Sequence, residues 1–156
     1  MFYVLCIAIV VGIVALDQVV KALVCANIAV GETISFLPGV MHLTQLHNEG
    51  AAFSILVGQR WPQILLTFVD LAVVVILIAK KVLRRRSELI SLAIVTGGAI
   101  GNLIDRIVHG YVVDMFALDL FQFPVFNVAD IFVVCGGIAF CIAFLLPNKS
   151  EARHDS

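Results

Sequence analysis

The sequence predicts an all-α membrane protein: four transmembrane helices, with a small extracytoplasmic β-cradle between helices 1 and 2. Hydrophobic residues make up 62% of the 156 residues, against roughly 45–50% in soluble domains, and mean hydropathy is +1.09. Four apolar stretches approach the roughly 20 residues that a helical span needs. The one sizeable interval between them reads as short strands. The chain has room for a single integral membrane domain, without internal repeats.

The spans are placed at about 2–26, 61–78, 89–108 and 128–146. The first lacks the basic n-region and the small-residue cleavage site of a secretory signal, and its apolar run is too long for one. It reads as a retained span. Residues 27–60 form the outer β-like segment: the runs 33–37 and 40–46 flank the turn-forming pair Pro38-Gly39. Asn48-Glu49-Gly50 suggests a closing turn, and 51–56 an apolar return. Trp61 suits the membrane interface and Pro62 a first helical turn. Pro147 ends the last span and begins a polar tail, 147–156, that is expected to be mobile.

Charge sets the orientation. Lys80, Lys81, Arg84, Arg85 and Arg86 crowd the link between spans two and three, and Lys149 and Arg153 lie in the tail. By the positive-inside rule both segments face the cytoplasm, and so does the N-terminus. The net charge of −1 leaves no nucleic-acid footprint. Cys6, Cys25, Cys135 and Cys141 lack Cys-x-x-Cys spacing and read as small apolar fillers.

Against this background the polar residues are conspicuous. Asp17 and Lys21 lie four apart on one helix face. Asn102, Asp105 and Arg106 fall near the outer end of span three, Asp114 in the next connection, and Asn127 and Asp130 where span four begins. Left facing lipid, the charged groups among them would cost on the order of 10–15 kcal/mol, so they must converge on one another or on a wet cleft. Asp17–Lys21 and Asp105–Arg106 are readable either as neutralised pairs that fix helix register or as participants in chemistry. Asp114 and Asp130 have no basic neighbour in sequence, which favours function. Asp70, midway along span two, has no obvious partner and is expected to face the bundle interior. Gly97, Gly98 and Gly101 suit close helix approach, with Gly136 and Gly137 as the matching surface.

Two carboxylates held close together share a proton and titrate apart. The ionised one can deprotonate a water; the protonated one can polarise a peptide carbonyl and then protonate the leaving amine. Such chemistry needs no cofactor and no metal. His42 and His47 lack the helical His-Glu-x-x-His pattern, and nothing in the spacing ties Ser54 to Lys21 as a serine–lysine pair. A proton- or ion-coupled carrier would more often show repeated halves and broken helices. A non-catalytic assembly subunit gives no reason for two unpaired aspartates.

In order along the chain run Asp17-Gln18-x-x-Lys21, Asn48-x-Gly50-x-Ala52-Phe53, Gly97-Gly98-Ala99-x-Gly101-Asn102-x-x-Asp105-Arg106, Val112-Val113-Asp114 and Phe126-Asn127-x-Ala129-Asp130. Together they resemble the signal peptidase II family of bacterial intramembrane aspartic proteases. The resemblance implies catalytic aspartates at Asp114 and Asp130. It implies supporting or substrate-binding roles at Asp17, Lys21, Asn48, Gly50, Gly98, Asn102, Asp105, Arg106, Asn127 and Ala129. Met115 departs from the phenylalanine that commonly follows the motif aspartate, and keeps its size and apolarity.

The implied substrate is a diacylglyceryl-modified prolipoprotein, cut just before its lipidated cysteine. The cradle and the connection 116–126 would clamp the peptide while the acyl chains stay in membrane lipid. The implied setting is the bacterial cytoplasmic (inner) membrane, with both termini cytoplasmic and the active site near the outer face. A monomer is expected, with no nucleic-acid partner.

Overall fold

The structure, a computed structural model, describes residues 1–50 and 60–146. The elements run α1 (Phe2–Asn27), β1 (Thr33–Leu37), β2 (Met41–Asn48), α2 (Arg60–Ala79), α3 (Arg86–Val108), β3 (Val112–Leu118) and α4 (Val128–Leu145). All four helices are long and apolar enough to cross a membrane. The expected apolar return at 51–56, with Ser54, and the polar tail lie outside the described residues.

The helix limits differ little from expectation, except that α3 begins three residues before the apolar run. Glu88 Oε2 accepts the backbone N–H groups of Arg84 and Arg85, each at 3.1 Å. This satisfies donors that a helix start otherwise leaves bare, so a charged turn folds as helix.

α3 is the central helix. Half of its most apolar window is buried, against 11–17% in the other three, and α1, α2 and α4 all pack on it. Without a hydrophobic driving force inside lipid, helix association depends on close van der Waals approach, and glycines provide it. A Cβ at Gly97 would lie 2.9 Å from Ile13 Cβ, and one at Gly136 would lie 2.9 Å from side-chain carbons of Ile94 and Val95. A Cβ at Gly98 would collide with the Ala129 carbonyl. Gly137, expected on the same surface, faces open space instead.

The strands make one antiparallel sheet in the order β1-β2-β3. Here the expectation needs correction, because the sheet is not confined to the segment between the first two helices. Its third strand comes from the connection between α3 and α4 and pairs Asp114 with Leu46. The β1–β2 turn forms as expected, with Gly39 at φ +76° and Val40 N–H donating to Leu37 O at 2.9 Å; a side chain is disfavoured in that left-handed region. Gly50 N–H donates to Asn48 Oδ1 at 2.9 Å, giving the expected turn its closing bond.

Two ends of the bundle are chemically distinct. At one, the Arg86 guanidinium lies 5.6 Å from the Phe2 ring and Arg85 Nη1 donates to Ala143 O at 2.9 Å. The start of α1, the end of α4 and the basic link therefore meet there. The sheet, the end of α3 and the start of α4 meet at the other.

Candidate active site

The polar residues of α1, α3, β3 and α4 converge at the sheet end. At their centre lies Lys21, only 4% exposed. Its Nζ pairs with Asp17 Oδ2 and Asp105 Oδ2, both at 2.9 Å, and donates to Asn102 Oδ1 at 3.0 Å. All three ammonium donors thus have partners. The sequence alternative of an Asp105–Arg106 pair is not what forms. Adjacent helical residues point away from each other, so Asp105 turns to α1 while Arg106 turns to α2.

Each lysine-bound aspartate also grips a backbone. Asp17 Oδ1 accepts the N–H of Ala129 in the first turn of α4, at 2.9 Å. Asp105 Oδ2 accepts the N–H of Val113 in β3, at 3.1 Å. Those two segments carry Asp130 and Asp114. Gly101 makes room for the arrangement, since a Cβ there would lie 2.6 Å from Asp17 Oδ2. Gln18, unassigned in the sequence reading, donates to Asp105 Oδ1 at 2.9 Å and to Gly101 O at 3.2 Å.

Three asparagines hold the remaining carboxylates. Asp114 accepts from Asn127 Nδ2 (2.6 Å) on Oδ1 and from Asn48 Nδ2 (2.8 Å) on Oδ2. Asp130 accepts from Asn102 Nδ2 (2.8 Å) on Oδ1 and from the Asn127 backbone N–H (3.2 Å) on Oδ2. Asn127 therefore bridges the two aspartates, and its Oδ1 caps α4 by accepting the N–H of Asp130 at 2.9 Å. Lys21 can only donate, so it fixes which way the Asn102 amide faces: oxygen to Lys21, nitrogen to Asp130.

Asp114 is 1% exposed. Burial pushes its carboxyl up to about 6; the Asn48 hydrogen bond opposes that shift, the charge of Asp130 adds to it, and the Asn127 bond opposes it again.

Both aspartates open onto a cleft of about 500 Å³, bordered by Asn48, Gly50, Asn102 and Arg106 at its polar end. Ile131, Val134 and Cys135 carry an apolar wall along α4, and Phe123 and Phe126 close the other side. Asp17, Lys21, Asn48, Gly50, Asn102, Asp105, Arg106, Asp114, Asn127 and Asp130 thus belong to this cluster or its cleft, and Gly98 and Ala129 brace it by setting the α3–α4 approach. Ala52 and Phe53 lie outside the described residues.

Other expectations fare differently. Asp70 is exposed on the outer face of α2 and not turned inward. Cys25, Cys135 and Cys141 are free and exposed on the bundle surface, so they do not fill its interior. His42 pairs through Nδ1 with Asp119 Oδ1, and His47 stacks on Tyr111 at 3.9 Å between centroids. Gln63, not singled out in the sequence, is 5% exposed and accepts from Arg106 Nε at 2.7 Å. A polar residue in the first turn of a span was the only signal for it.

Four spanning helices with a carboxylate-lined cleft at one end define a multi-pass membrane protein. The family profile described as Signal peptidase (SPase) II matches residues 9–146. Relatives called lipoprotein signal peptidase include one from Lactococcus lactis subsp. lactis, 42% identical over 143 residues, covering 92% of this chain and 94% of the relative. Another, from Enterococcus faecalis, is 42% identical over 138 residues, 88% of this chain and 86% of its own. A bacterial membrane enzyme solved by the in meso method at 2.3 Å superposes with a TM-score of 0.84 at 31% identity, covering 90% of this chain and 87% of that one. A second, at 1.9 Å, gives 0.83 at 30% identity over 92% and 94%. The chain belongs to the signal peptidase II family, and is therefore a protease.

Proposed function

We propose that this chain is a membrane aspartic endopeptidase that removes the signal peptide from diacylglyceryl-modified prolipoproteins, cutting before the lipidated cysteine, with Asp114 and Asp130 as the dyad. The observation that carries this reading is Asn127: one residue hydrogen-bonds both carboxylates, and among the described residues every donor to them is a neutral amide. Direct ion pairs would quench a base; amides orient one without neutralising it.

In this reading Asp114, whose burial favours the protonated form, holds the shared proton and is the acid, and Asp130 is the base. Asp130 takes a proton from water as the hydroxyl oxygen bonds to the peptide carbonyl carbon. Asp114 gives its proton to the carbonyl oxygen. Collapse of the resulting gem-diol breaks the C–N bond: Asp130 passes its proton to the leaving amine, and Asp114 regains one from a diol hydroxyl. No metal takes part in this scheme.

The apolar wall along α4 supports a lipid-bearing substrate, since acyl chains can remain in hydrocarbon beside it while the peptide meets the dyad. Binding energy from the lipid then serves to position the scissile bond. The basic link and the dyad lie at opposite ends of the bundle, which supports cytoplasmic termini and an outer-face active site in the bacterial inner membrane. The chain works in this reading as a single integral domain and a monomer.

The test offers purified protein a diacylated prolipoprotein and the same precursor unmodified. Cleavage confined to the diacylated form, with mass spectrometry placing the cut before the modified cysteine, is expected. Equal cleavage of both, or of neither, would overturn the substrate assignment.

A further inference from the structure

The Arg106 guanidinium borders the cleft beside both aspartates, yet among the described residues no carboxylate lies within salt-bridge distance of it. Its hydrogen-bond partners there are neutral. Nε donates to Gln63 Oε1 at 2.7 Å and Nη1 to the backbone carbonyl of Asn102 at 3.3 Å. A free arginine side chain has roughly 2 kcal/mol of rotamer entropy to lose, so something must hold this one. Gln63 is suited to do so. It is buried, and its Nε2 donates to Glu49 O at 3.2 Å, between Asn48, which holds Asp114, and Gly50. The turn of α2 that carries it is itself fastened to the end of α3, because Arg60 Nη2 donates to Ile107 O.

We propose that Gln63 is a positioning residue of this protease: it fixes the plane of the Arg106 guanidinium so that the remaining N–H groups meet the backbone of the peptide bound at the dyad. The inference rests on the function proposed above. Among the described residues α2 lines no part of the cleft itself, so Gln63 is its link to the chemistry, through Arg106. Lipid contacts carry most of the substrate binding in that reading, so an arginine that meets the reacting peptide acts mainly on turnover.

The test measures kcat and KM on a diacylated precursor for Gln63→Met, Arg106→Gln, the double variant and Gln63→Glu, with thermal unfolding in detergent alongside. Gln63→Met, similar in size but unable to accept from Arg106 Nε or donate to Glu49 O, should lower kcat about 10-fold, the equivalent of one lost bond to a charged group, with KM within about 2-fold. In the Arg106→Gln background the same change should cost less than about 2-fold, because residues acting through one another are non-additive. Gln63→Glu keeps the acceptor for Nε and should recover most of the loss. Unchanged kcat in Gln63→Met would overturn the inference. So would a loss undiminished in the Arg106→Gln background, which marks general damage to folding. Wild-type protein inactive on the precursor would instead refute the proposed function, which separates the two failures.

Discussion

Asp17 in the first helix accepts the backbone N–H of Ala129 in the last helix at 2.9 Å. The bond ties the start of α4, one residue before Asp130, to the lysine cluster on α1. Asp105 does the same for β3, one residue before Asp114, through Val113. Lys21 joins both aspartates. One buried ammonium thus sets the relative position of the two segments that carry the proposed dyad.

Removing that ammonium should be costly. Lys21→Met leaves two buried carboxylates without their shared cation, and breaking a buried pair from one side costs about 3–5 kcal/mol. Thermal unfolding in detergent should show a large loss of Tm. A Tm within a degree or two of wild type would mean that the cluster does not brace the fold.

The raised Asp114 carboxyl gives two pH signatures. The folded state holds its proton up to about pH 6, while an unfolded carboxylate loses it near 4. The group's contribution to stability is therefore full below about 4 and lost as pH rises through 6. Stability should fall across that window in wild type, and fall less in Asp114→Asn. For catalysis, the acid is spent above its pKa, so kcat/KM should decline on the alkaline side of about 6. A profile that rises through 6 and stays flat would make Asp114 the base.

Orientation is checked by labelling single cysteines in intact cells with a membrane-impermeant thiol reagent, after permeabilising any outer membrane and replacing the native cysteines. Ser35→Cys, on β1, should react, and Ser87→Cys, beside the basic link, should not. The reverse pattern would put the dyad on the cytoplasmic face.

Much of this was legible in the sequence. Hydropathy located the spans because lipid tolerates few alternatives to a long apolar helix. The convergence of the polar residues was legible because a charge inside a span is expensive and so must be engaged. What escaped were partnerships that depend on how helices rotate about one another. Asp105 and Arg106 are neighbours in sequence but face α1 and α2 respectively, and no local pattern reveals that Lys21 is the partner of Asp105. Hydropathy alone does not reveal the strand Val112–Leu118, although its run of β-branched and large apolar residues after Gly110 carries the signal. Asp70 was expected inside because of its cost; α2 packs on α3 alone among the helices, so most of its circumference stays exposed.

The central claim is that Asp114 and Asp130 act as one unit, and turnover of a lipid-modified precursor by their asparagine variants measures it most directly. Asparagine keeps the size and polarity of each side chain but cannot serve as the base or sustain proton sharing. Asp114→Asn, Asp130→Asn and the double variant should each insert, accumulate and unfold cooperatively, yet show no detectable cleavage, with the double variant scarcely worse than either single one. Asp70→Asn, on the exposed face of α2, should cleave at the wild-type rate. Substantial turnover by either dyad variant in folded protein would contradict the account and move the chemistry to Asp17 or Asp105.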